Sequence, residues 1–385
     1  MKREIWLDYL RVAACFMVMV IHATEPFYLG GDGALILTSA DAFWVAFFEA
    51  VSRCCVPLFL LASSYLLFPL RDSAGTFVRR RAVRILVPML LWTLVYAFVF
   101  GDPVSNLKGL LLNFNYAAGH LWFVYMLAGV YLLMPLLSPW AEKVGKKELS
   151  VYLCIWLLTL FFPYVREWAG GIPPLIQAAD GLPAAAPFPL WGEASWNSFG
   201  TFYYVSGFVG FLLLGLYVKK FLPGSRKEGA VGAGLYLLGA VCIFCGLLHR
   251  FSGTGDVFPL SGDLQTAVAW EVPITYCSFF VFCSALGLLL VFRRIGPGAG
   301  ENAFYRNVLL SLSRAGYGMY LAHMLLLGPL SAAFRRWLGI GADGIFGVWT
   351  TPVQVLATAL GCFLLTGLAC IFVQRIPKIG KYLIG

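Results

Sequence analysis

The sequence carries little charge for its length. Only 12% of its 385 residues are Asp, Glu, Lys or Arg, about half of the roughly 25% that is usual in soluble domains. So few charged groups exclude a soluble globular fold, and the scarcity of polar residues excludes a disordered chain. Apolar residues take their place: 60% are hydrophobic, 16% are aromatic and the mean hydropathy is +0.80. This composition is typical of helices that span a lipid bilayer.

The sequence also lacks the cysteine patterns of a metal site or a disulfide scaffold. Its ten cysteines lie in or beside apolar runs, which predicts buried free thiols. Cys242 and Cys245 form a CxxC pair, but no second pair accompanies it at the spacing of a zinc site. We therefore expect no metal.

Long apolar runs predict an all-α membrane bundle of about ten transmembrane helices, because a spanning helix needs ~20 apolar residues. The runs fall at 6–28, 42–68, 82–101, 118–138, 149–166, 200–219, 229–248, 269–292, 306–330 and 347–374. The loops between them are too short for a folded domain outside the membrane. We expect residues 1–385 to form a single transmembrane domain with no soluble domain appended.

Basic residues predict the orientation of this bundle. When the N-terminus is placed inside the cell, most of the 28 lysines and arginines fall in inner segments, as the positive-inside rule requires. We therefore predict a multi-pass protein of the bacterial cytoplasmic (inner) membrane with both termini cytoplasmic. The same rule explains the net charge of +9, so the lipid bilayer is the expected partner and nucleic acid is not.

Ionisable residues inside the first predicted helix point to function, because each costs at least ~2.5 kcal/mol in a membrane. Arg11 and His22 lie on one helix face, about 16 Å apart along the axis. Glu25 follows His22 by three residues and shares that face, so it can orient the imidazole ring. A histidine base with an orienting carboxylate is a common catalytic unit. The alternative is that Arg11 reaches the lipid headgroups and His22 bonds a neighbouring helix.

A basic cluster precedes the third predicted helix. Arg80, Arg81 and Arg84 belong to it, and the last two share a side at spacing i, i+3. Guanidinium groups bind phosphate through two parallel hydrogen bonds, so the cluster can hold a phosphorylated cofactor. Positive-inside anchoring alone is the alternative explanation.

Further polar and aromatic residues fall on other predicted helices. His120, Trp122 and Tyr125 open the fourth helix at its outer end. Interfacial aromatic residues commonly form belts, so the histidine is the more informative of the three. In the ninth helix Tyr320 and His323 share a face, where a hydrogen-bonded pair between helices is the alternative to a substrate contact.

Acidic and small residues complete the candidate set. Ser63 and Ser64 are small residues among the large apolar residues of the second helix. Small side chains leave room for a close contact with another helix or for a slender ligand. Glu271 and Arg53 lie near the outer ends of the eighth and second helices, and we expect an ion pair between them.

Taken in order, these motifs resemble acyltransferase family 3, the ten-helix integral membrane acyltransferases. The matching motifs extend over the chain and are Arg11-x10-His22, Pro57-Leu58-Phe59 with Ser63-Ser64-Tyr65-Leu66, Arg81-x2-Arg84 with Pro88, His120-Leu121-Trp122-Phe123 with Tyr131 and Pro135, and Ser311-x-Ser313 with Gly318, Tyr320, Leu321 and His323. The sequence departs from many members in Ser63-Ser64 and in Tyr125-Met126-Leu127. It looks most like the compact branch that contains the O-acetyltransferase of enterobacterial common antigen.

The resemblance implies an acyl-CoA-dependent O-acyltransferase. Its expected donor is acetyl-CoA on the cytoplasmic side, and its expected acceptor is a hydroxyl of an envelope glycan or lipid-linked saccharide at the outer face. The residues are assigned as follows: His22, Glu25 and Arg11 to catalysis; Arg81, Arg84, Arg80 and Ser64 to the cofactor; His120, Trp122, Tyr125, His323 and Glu271 to the substrate. His22 acts as a general base or carries the acyl group itself. The outer loop at 167–199, with Trp191 and Trp196, offers flat surfaces to a sugar ring.

Two other functional classes are compatible with the buried charges. One is a transporter or flippase of an anionic lipid-linked saccharide, which would move its substrate without consuming a thioester. The other is an interaction subunit of a polysaccharide export complex in which those charges are structural. The sequence leaves the oligomeric state open, so an oligomer is compatible with it.

Overall fold

The structure is a computed structural model that describes residues 3–30, 33–110, 118–168, 205–255, 257–339, 344–376 and 380–385. Within these ranges the chain is mainly helical. The α-helices are α1 (Ile5–Thr24), α2 (Ser39–Ser52), α3 (Cys55–Leu67), α4 (Ala74–Arg81), α5 (Val87–Val99), α6 (Pro103–Leu110), α7 (Trp122–Lys143), α8 (Lys146–Thr159), α9 (Phe162–Trp168), α10 (Val209–Phe221), α11 (Arg226–Ser252), α12 (Leu264–Trp270), α13 (Phe279–Phe292), α14 (Leu310–Leu338), α15 (Thr350–Gln374) and α16 (Gly380–Ile384).

Nine helical segments in the described part of the chain are long and apolar enough to cross a membrane, which confirms the predicted all-α membrane bundle. They are Ile5–Phe27, Ser39–Leu67, Ala74–Val99, Gly119–Lys143, Lys146–Val165, Arg226–Ser252, Val272–Phe292, Tyr305–Leu338 and Gly347–Gln374. Each corresponds to one of the ten predicted spans. The remaining span, predicted at 200–219, begins outside the described residues, and its described part is the 13-residue α10.

Two of these spans are interrupted beside the candidate site. The second is divided between α2 and α3, with Arg53 and Cys54 at the break. In the third, a π-helical segment at Ala82–Leu86 joins α4 to α5. Pro88 follows it and has no N–H to offer the carbonyl of Arg84, so the regular hydrogen-bond ladder cannot continue there. Such π-helical turns occur frequently at functional sites.

A small sheet that the sequence did not predict connects two loops at one end of the bundle. Its strands are β1 (Leu29–Gly30), β2 (Gly33–Ile36) and β3 (Leu260–Gly262), all antiparallel, with β2 in the centre. A Cβ atom on Gly33 would lie 2.3 Å from the carbonyl oxygen of Gly262, so only glycine fits at this pairing. The sheet ties the segment that follows α1 to the loop that precedes α12.

The first helix is central to the packing. α1 contacts α2, α3, α14 and α15, and its buried residues, among them Leu10 and Met19, belong to the hydrophobic core.

Close helix contacts elsewhere depend on small residues, as is usual in membrane bundles. Gly232 of α11 and Gly287 of α13 approach so closely that a Cβ on either would come within 3 Å of the other's carbonyl oxygen. These two glycines therefore let α11 and α13 pack in direct backbone contact.

Candidate active site

His22 and Glu25 form a hydrogen-bonded pair at the end of α1. The imidazole Nδ1 lies 2.7 Å from Oε1 of Glu25. An ionised carboxylate can only accept a hydrogen bond, so Nδ1 is the donor, and in the neutral form of the ring Nε2 then carries the lone pair. Helix α1 ends at Thr24, and a short 3₁₀ turn over Glu25–Phe27 follows it, with Pro26 at the second position. Glu25 is thus the first residue of this turn. The side chains of His22 and Glu25 are 18% and 35% exposed, so this pair is accessible to a substrate.

Three of the four histidines of the chain meet at this point. The ring centroid of His323 lies 5.1 Å from that of His22 and 5.2 Å from that of His120. The structure thus brings together three residues that the sequence predicts for the site and places on three different helical segments. We call His22, His120 and His323 the histidine cluster.

The ring of His323 is bonded to a backbone carbonyl, and the backbone carbonyls of His120 and His323 accept hydrogen bonds from neighbouring side chains. His323 donates from Nδ1 to the carbonyl oxygen of Tyr320 at 2.5 Å. The hydroxyl of Tyr320 donates to the carbonyl oxygen of His120, and the Cys362 thiol donates to that of His323 at 3.4 Å. The Nε2 atoms of His120 and His323 are buried and have no hydrogen-bond partner among the described residues. Buried polar atoms normally have a partner, so these two nitrogens are suited to a hydroxyl group of a substrate.

A cavity of about 990 Å³ approaches this cluster from the opposite end of the bundle and ends at rings that include Tyr320, which contacts His120 and His323. It extends from exposed arginines past Tyr131 and Tyr317 to Phe123 and Tyr320. Seven arginines line it, and no aspartate or glutamate is among the described residues of its wall. These arginines are Arg3, Arg11, Arg79, Arg80, Arg81, Arg84 and Arg314. Such a wall attracts anions, and its volume lies at the upper end of the ~300–1,000 Å³ usual for ligand pockets.

The three arginines predicted for the cofactor all line this cavity, but they differ in their partners. Arg80 is exposed and pairs with Asp72 at 2.5 Å, which neutralises part of its charge. Arg81 lies over the rings of Phe77 and Tyr131, at 5.4 Å from each centroid. Its Nε is buried and has no partner among the described residues. Arg84 is exposed. Arg81 and Arg84 are therefore the stronger candidates for binding phosphate.

Arg11 lines the same cavity between the arginine mouth and the histidine cluster. No described carboxylate lies within ion-pair distance of its guanidinium. It stands three helical turns below His22 on α1, about 16 Å along the axis. Arg11 therefore places a positive charge along the path between the arginine mouth and the histidine cluster. This position fits a residue that binds an anionic or polarised group better than one that contacts the reacting atoms.

One buried acid beside the cavity was missed as a site residue. Asp8 is 2% exposed and accepts hydrogen bonds from Arg3 at 2.6 and 2.8 Å, Tyr305 at 2.8 Å and Ser313 at 2.7 Å. The hydrogen bonds from Arg3 raise the pKa of its guanidinium above the ordinary value. Since Arg3 and Ser313 line the cavity, Asp8 positions part of its wall. Its place in an apolar helix was the available signal.

The prediction for Ser64 is not supported by its position. Ser64 is fully buried, and its hydroxyl donates to the carbonyl oxygen of Leu212 at 2.5 Å. A Cβ on Gly215 would lie 2.6 Å from the serine Oγ, so the residue joins α3 closely to α10. The neighbouring Ser63 lines the cavity instead. The helical turn of about 100° between adjacent residues explains why only one of the two faces the cavity.

Trp122 and Tyr125 occupy different surroundings from those predicted. Trp122 is half-buried and packs against the rings of Phe208 and Tyr276, at 5.9 and 5.5 Å. Tyr125 is 37% exposed, does not line the cavity and has no hydrogen-bond or ring partner among the described residues. Its position fits a residue at the membrane interface rather than a substrate ligand.

The expected ion pair between Arg53 and Glu271 is replaced by other contacts. Arg53 pairs with Glu49 at 3.3 Å and donates to the carbonyl oxygen of Ile274 at 2.7 Å. Glu271 instead accepts the hydroxyl of Tyr28 at 2.9 Å. Glu49 was not predicted, although a carboxyl inside an apolar span is a detectable signal. Arg53 meets Glu49, four residues back, because the backbone is still helical at Arg53 and residues four apart lie on adjacent helical turns.

Two further expectations concern the tryptophans of the outer loop and a metal site. Trp191 and Trp196, predicted to face a sugar ring, lie outside the described residues. Among the residues that are described, no group of three or more His, Cys, Asp or Glu side chains is arranged to hold a metal ion.

Comparisons with known proteins connect this geometry to a chemistry. A family model described as an acyltransferase domain matches residues 4–371. Nodulation protein NolL of Mesorhizobium japonicum is 28% identical over 146 residues, which cover 36% of this chain and 36% of that protein. Nodulation protein NolL of Sinorhizobium fredii is 27% identical over 144 residues, covering 36% and 37%. The matched part is thus little more than a third of these relatives' length. No solved structure matches the chain.

Proposed function

The chain belongs to the acyltransferase family whose model covers residues 4–371, and from this premise we propose that it transfers an acyl group from acyl-CoA to a hydroxyl of an envelope glycan or a lipid-linked saccharide. The observation that supports this most strongly is the cavity, which leads from seven arginines toward the histidine cluster. It provides an anion-binding mouth at one end, and its other end adjoins Tyr320, which separates it from the histidine cluster.

The proposed orientation places the arginine mouth in the cytoplasm and the histidine cluster toward the outer face of a bacterial inner membrane. Both termini are then cytoplasmic, and residues 1–385 act as one membrane domain. The excess of basic residues near the arginine mouth supports this orientation through the positive-inside rule. The glycan acceptor reaches His22 from the outer side, where the small sheet and the Glu25 carboxylate lie.

The mouth fits the donor by its charge. Coenzyme A carries a pyrophosphate and a 3′-phosphate, and guanidinium groups bind such oxygens through paired hydrogen bonds. In this proposal Arg81 and Arg84 hold phosphate, and Arg80 contributes less because Asp72 already pairs with it. Ser63, rather than Ser64, contacts the arm of the cofactor as it passes Arg11 toward Phe123 and Tyr320. Acyl-CoA supplies an activated thioester to the site.

His22 acts as a general base in the proposed reaction. Its Nε2 takes the proton of the acceptor hydroxyl while Glu25 holds Nδ1–H at 2.7 Å. The hydroxyl oxygen forms a bond to the thioester carbonyl carbon, the carbon–sulfur bond breaks, and His22 returns the proton to the leaving sulfur. The unpartnered Nε2 atoms of His120 and His323 orient the acceptor through its hydroxyl groups.

We propose direct transfer rather than an acyl-histidine intermediate, because the donor cavity and the exposed side of the His22–Glu25 pair open toward opposite ends. Both reactants then meet at His22 in one complex. Incubation of the protein with radiolabelled acetyl-CoA and no acceptor, followed by rapid denaturation in detergent at neutral pH, where an acyl-imidazole survives long enough to be detected, should leave no label on the protein. Label that stays bound to the wild-type protein and is absent from the His22→Ala variant would establish an acyl-histidine instead.

The test of the proposed function is thiol release from acetyl-CoA by the purified protein in lipid, with a lipid-linked oligosaccharide fraction as acceptor. We expect acceptor-dependent thiol release that is absent in His22→Ala and reduced in Arg84→Ala. His249→Ala is the matched control, because His249 is exposed on α11. Movement of labelled lipid-linked saccharide across the bilayer without thiol release would overturn the proposal in favour of a flippase.

A further inference from the structure

Three aromatic rings stand at the inner end of the cavity. Phe59 of α3, Phe123 of α7 and Tyr320 of α14 all line it. The centroid of Phe123 lies 6.0 Å from that of Phe59 and 5.4 Å from that of Tyr320, and the latter contact is edge-to-face. Aromatic contacts of this length form a continuous layer. We call these residues the ring layer.

The ring layer lies between the donor cavity and the histidine cluster. Tyr320 contacts two members of the histidine cluster: its ring centroid lies 6.1 Å from that of His120 and 5.7 Å from that of His323. His22, His120 and His323 are absent from the cavity wall. A group that enters from the arginine mouth thus meets these rings at the inner end of the cavity, where Tyr320 adjoins His120 and His323.

Space on the far side of the rings is small. His323 is fully buried, at 0% exposure, and the histidine rings pack about 5 Å from one another. Phe123 and Tyr320 are 6% and 7% exposed, and the Tyr320 hydroxyl is held by the backbone of His120. Phe59 is half-buried and is the least restrained of the three. A close-packed region of this kind does not yield to additional methylene groups without strain.

We infer that Phe59, Phe123 and Tyr320 determine which acyl group is transferred, by admitting a short unbranched acyl group such as acetyl and excluding longer ones. This inference rests on the proposed function. The coenzyme A arm occupies the cavity on the arginine side, and only the acyl carbons extend past the rings to His22. The thioester carbon–sulfur bond that breaks lies at the layer, and the new carbon–oxygen bond forms on the side of the histidine cluster.

Phe59→Ala tests this inference, because Phe59 is half-buried and its loss opens the layer at the lowest packing cost. The measurement is kcat/KM for acetyl-, butyryl- and hexanoyl-CoA, by thiol release with the same oligosaccharide fraction. For the wild type we expect at least about a tenfold preference for acetyl over butyryl, since a pocket discriminates by roughly 10–200-fold per misfitted methylene. In Phe59→Ala the butyryl-to-acetyl ratio should rise by about tenfold.

Phe16→Ala is the matched control. Phe16 is a half-buried phenylalanine that packs edge-to-face against Phe363 at 5.5 Å and does not line the cavity. Its chain-length preference should equal that of the wild type. Phe59→Leu, which keeps apolar volume, provides a second variant with an intermediate ratio, and size-exclusion chromatography verifies that each variant is folded.

The outcomes separate the inference from the proposed function. An unchanged chain-length preference in both folded Phe59 variants overturns the ring layer as the selector while leaving acyl transfer intact. The same holds for a wild type that uses hexanoyl-CoA as well as acetyl-CoA. A wild type that releases thiol from none of the thioesters overturns the proposed function, and the inference with it.

Discussion

The two ends of the central cavity differ in how their polar groups are held. At the arginine end, Arg84 is exposed, and a π-helical segment carries it. At the histidine end, His22 is bonded to Glu25, and His323 to the carbonyl of Tyr320. The arginine end resembles a binding surface whose positive charges are accessible to an anionic ligand. The histidine end resembles a pre-organised site in which the direction of each ring is set by a neighbour.

This difference indicates a division between binding and chemistry. Cations in the mouth hold an anionic donor by charge and tolerate some movement, whereas a base must keep its nitrogen directed at one proton. The ring layer separates the two ends. Changes at the arginine end should therefore affect mainly KM for the donor, and changes at the histidine end mainly kcat.

The largest effect is expected from His22→Ala. Loss of the general base should lower kcat by about a thousandfold, within the range of roughly 10²–10⁴ that general bases contribute. Steady-state thiol release measures it, and KM for acetyl-CoA should be unchanged because the arginine mouth is intact. A variant that keeps near wild-type kcat would place the base elsewhere.

Glu25→Ala should have the next largest effect. Without the carboxylate the imidazole loses its fixed tautomer and direction, and we expect kcat to fall by about a hundredfold, the scale of a 1 Å misplacement. Glu25→Gln should recover part of this loss because its amide oxygen still accepts Nδ1–H. Equal kcat for both variants would show that the hydrogen bond does not position His22.

At the arginine end, Arg84→Ala should raise KM for acetyl-CoA by about tenfold to a hundredfold, as expected for the loss of a charge-assisted hydrogen bond. Here kcat should change little. Arg84→Lys should recover part of the affinity but not the paired geometry. Arg336→Ala, an exposed arginine outside the cavity wall, should behave as the wild type. A fall in kcat at constant KM would contradict the division of roles.

The smallest effect on activity is expected at Asp8, where the change is mainly in stability. Asp8→Asn weakens the hydrogen bonds from Arg3, Tyr305 and Ser313, and we expect a loss of about 1–3 kcal/mol. A lower thermal midpoint in detergent would show it. Asp72→Asn, which removes the exposed partner of Arg80, should change the midpoint little because surface ion pairs contribute about 0–1 kcal/mol. Equal midpoints for the two variants would contradict the structural role of Asp8.

Part of the candidate site was predictable from helix periodicity. Residues three apart on a helix share a face, so the His22–Glu25 pair and the common face of Tyr320 and His323 follow from spacing alone. Contacts between elements did not follow. Glu271 accepts a hydrogen bond from Tyr28, whereas Arg53 pairs with Glu49 of its own helix. Spacing within one helix does not report which residue of another element a side chain meets.

The amino-acid sequence by itself determined that the protein is a multi-pass helical membrane protein with polar residues on the inner face of its first helix. Hydrocarbon requires apolar spans and makes each buried charge costly, so these features are legible in composition and periodicity. Only the tertiary structure decided that His120 and His323 join His22, that Ser63 rather than Ser64 lines the cavity, and that a ring layer closes the cavity next to the histidine cluster. These properties depend on how separate helices pack and rotate against one another, and no local pattern encodes that geometry.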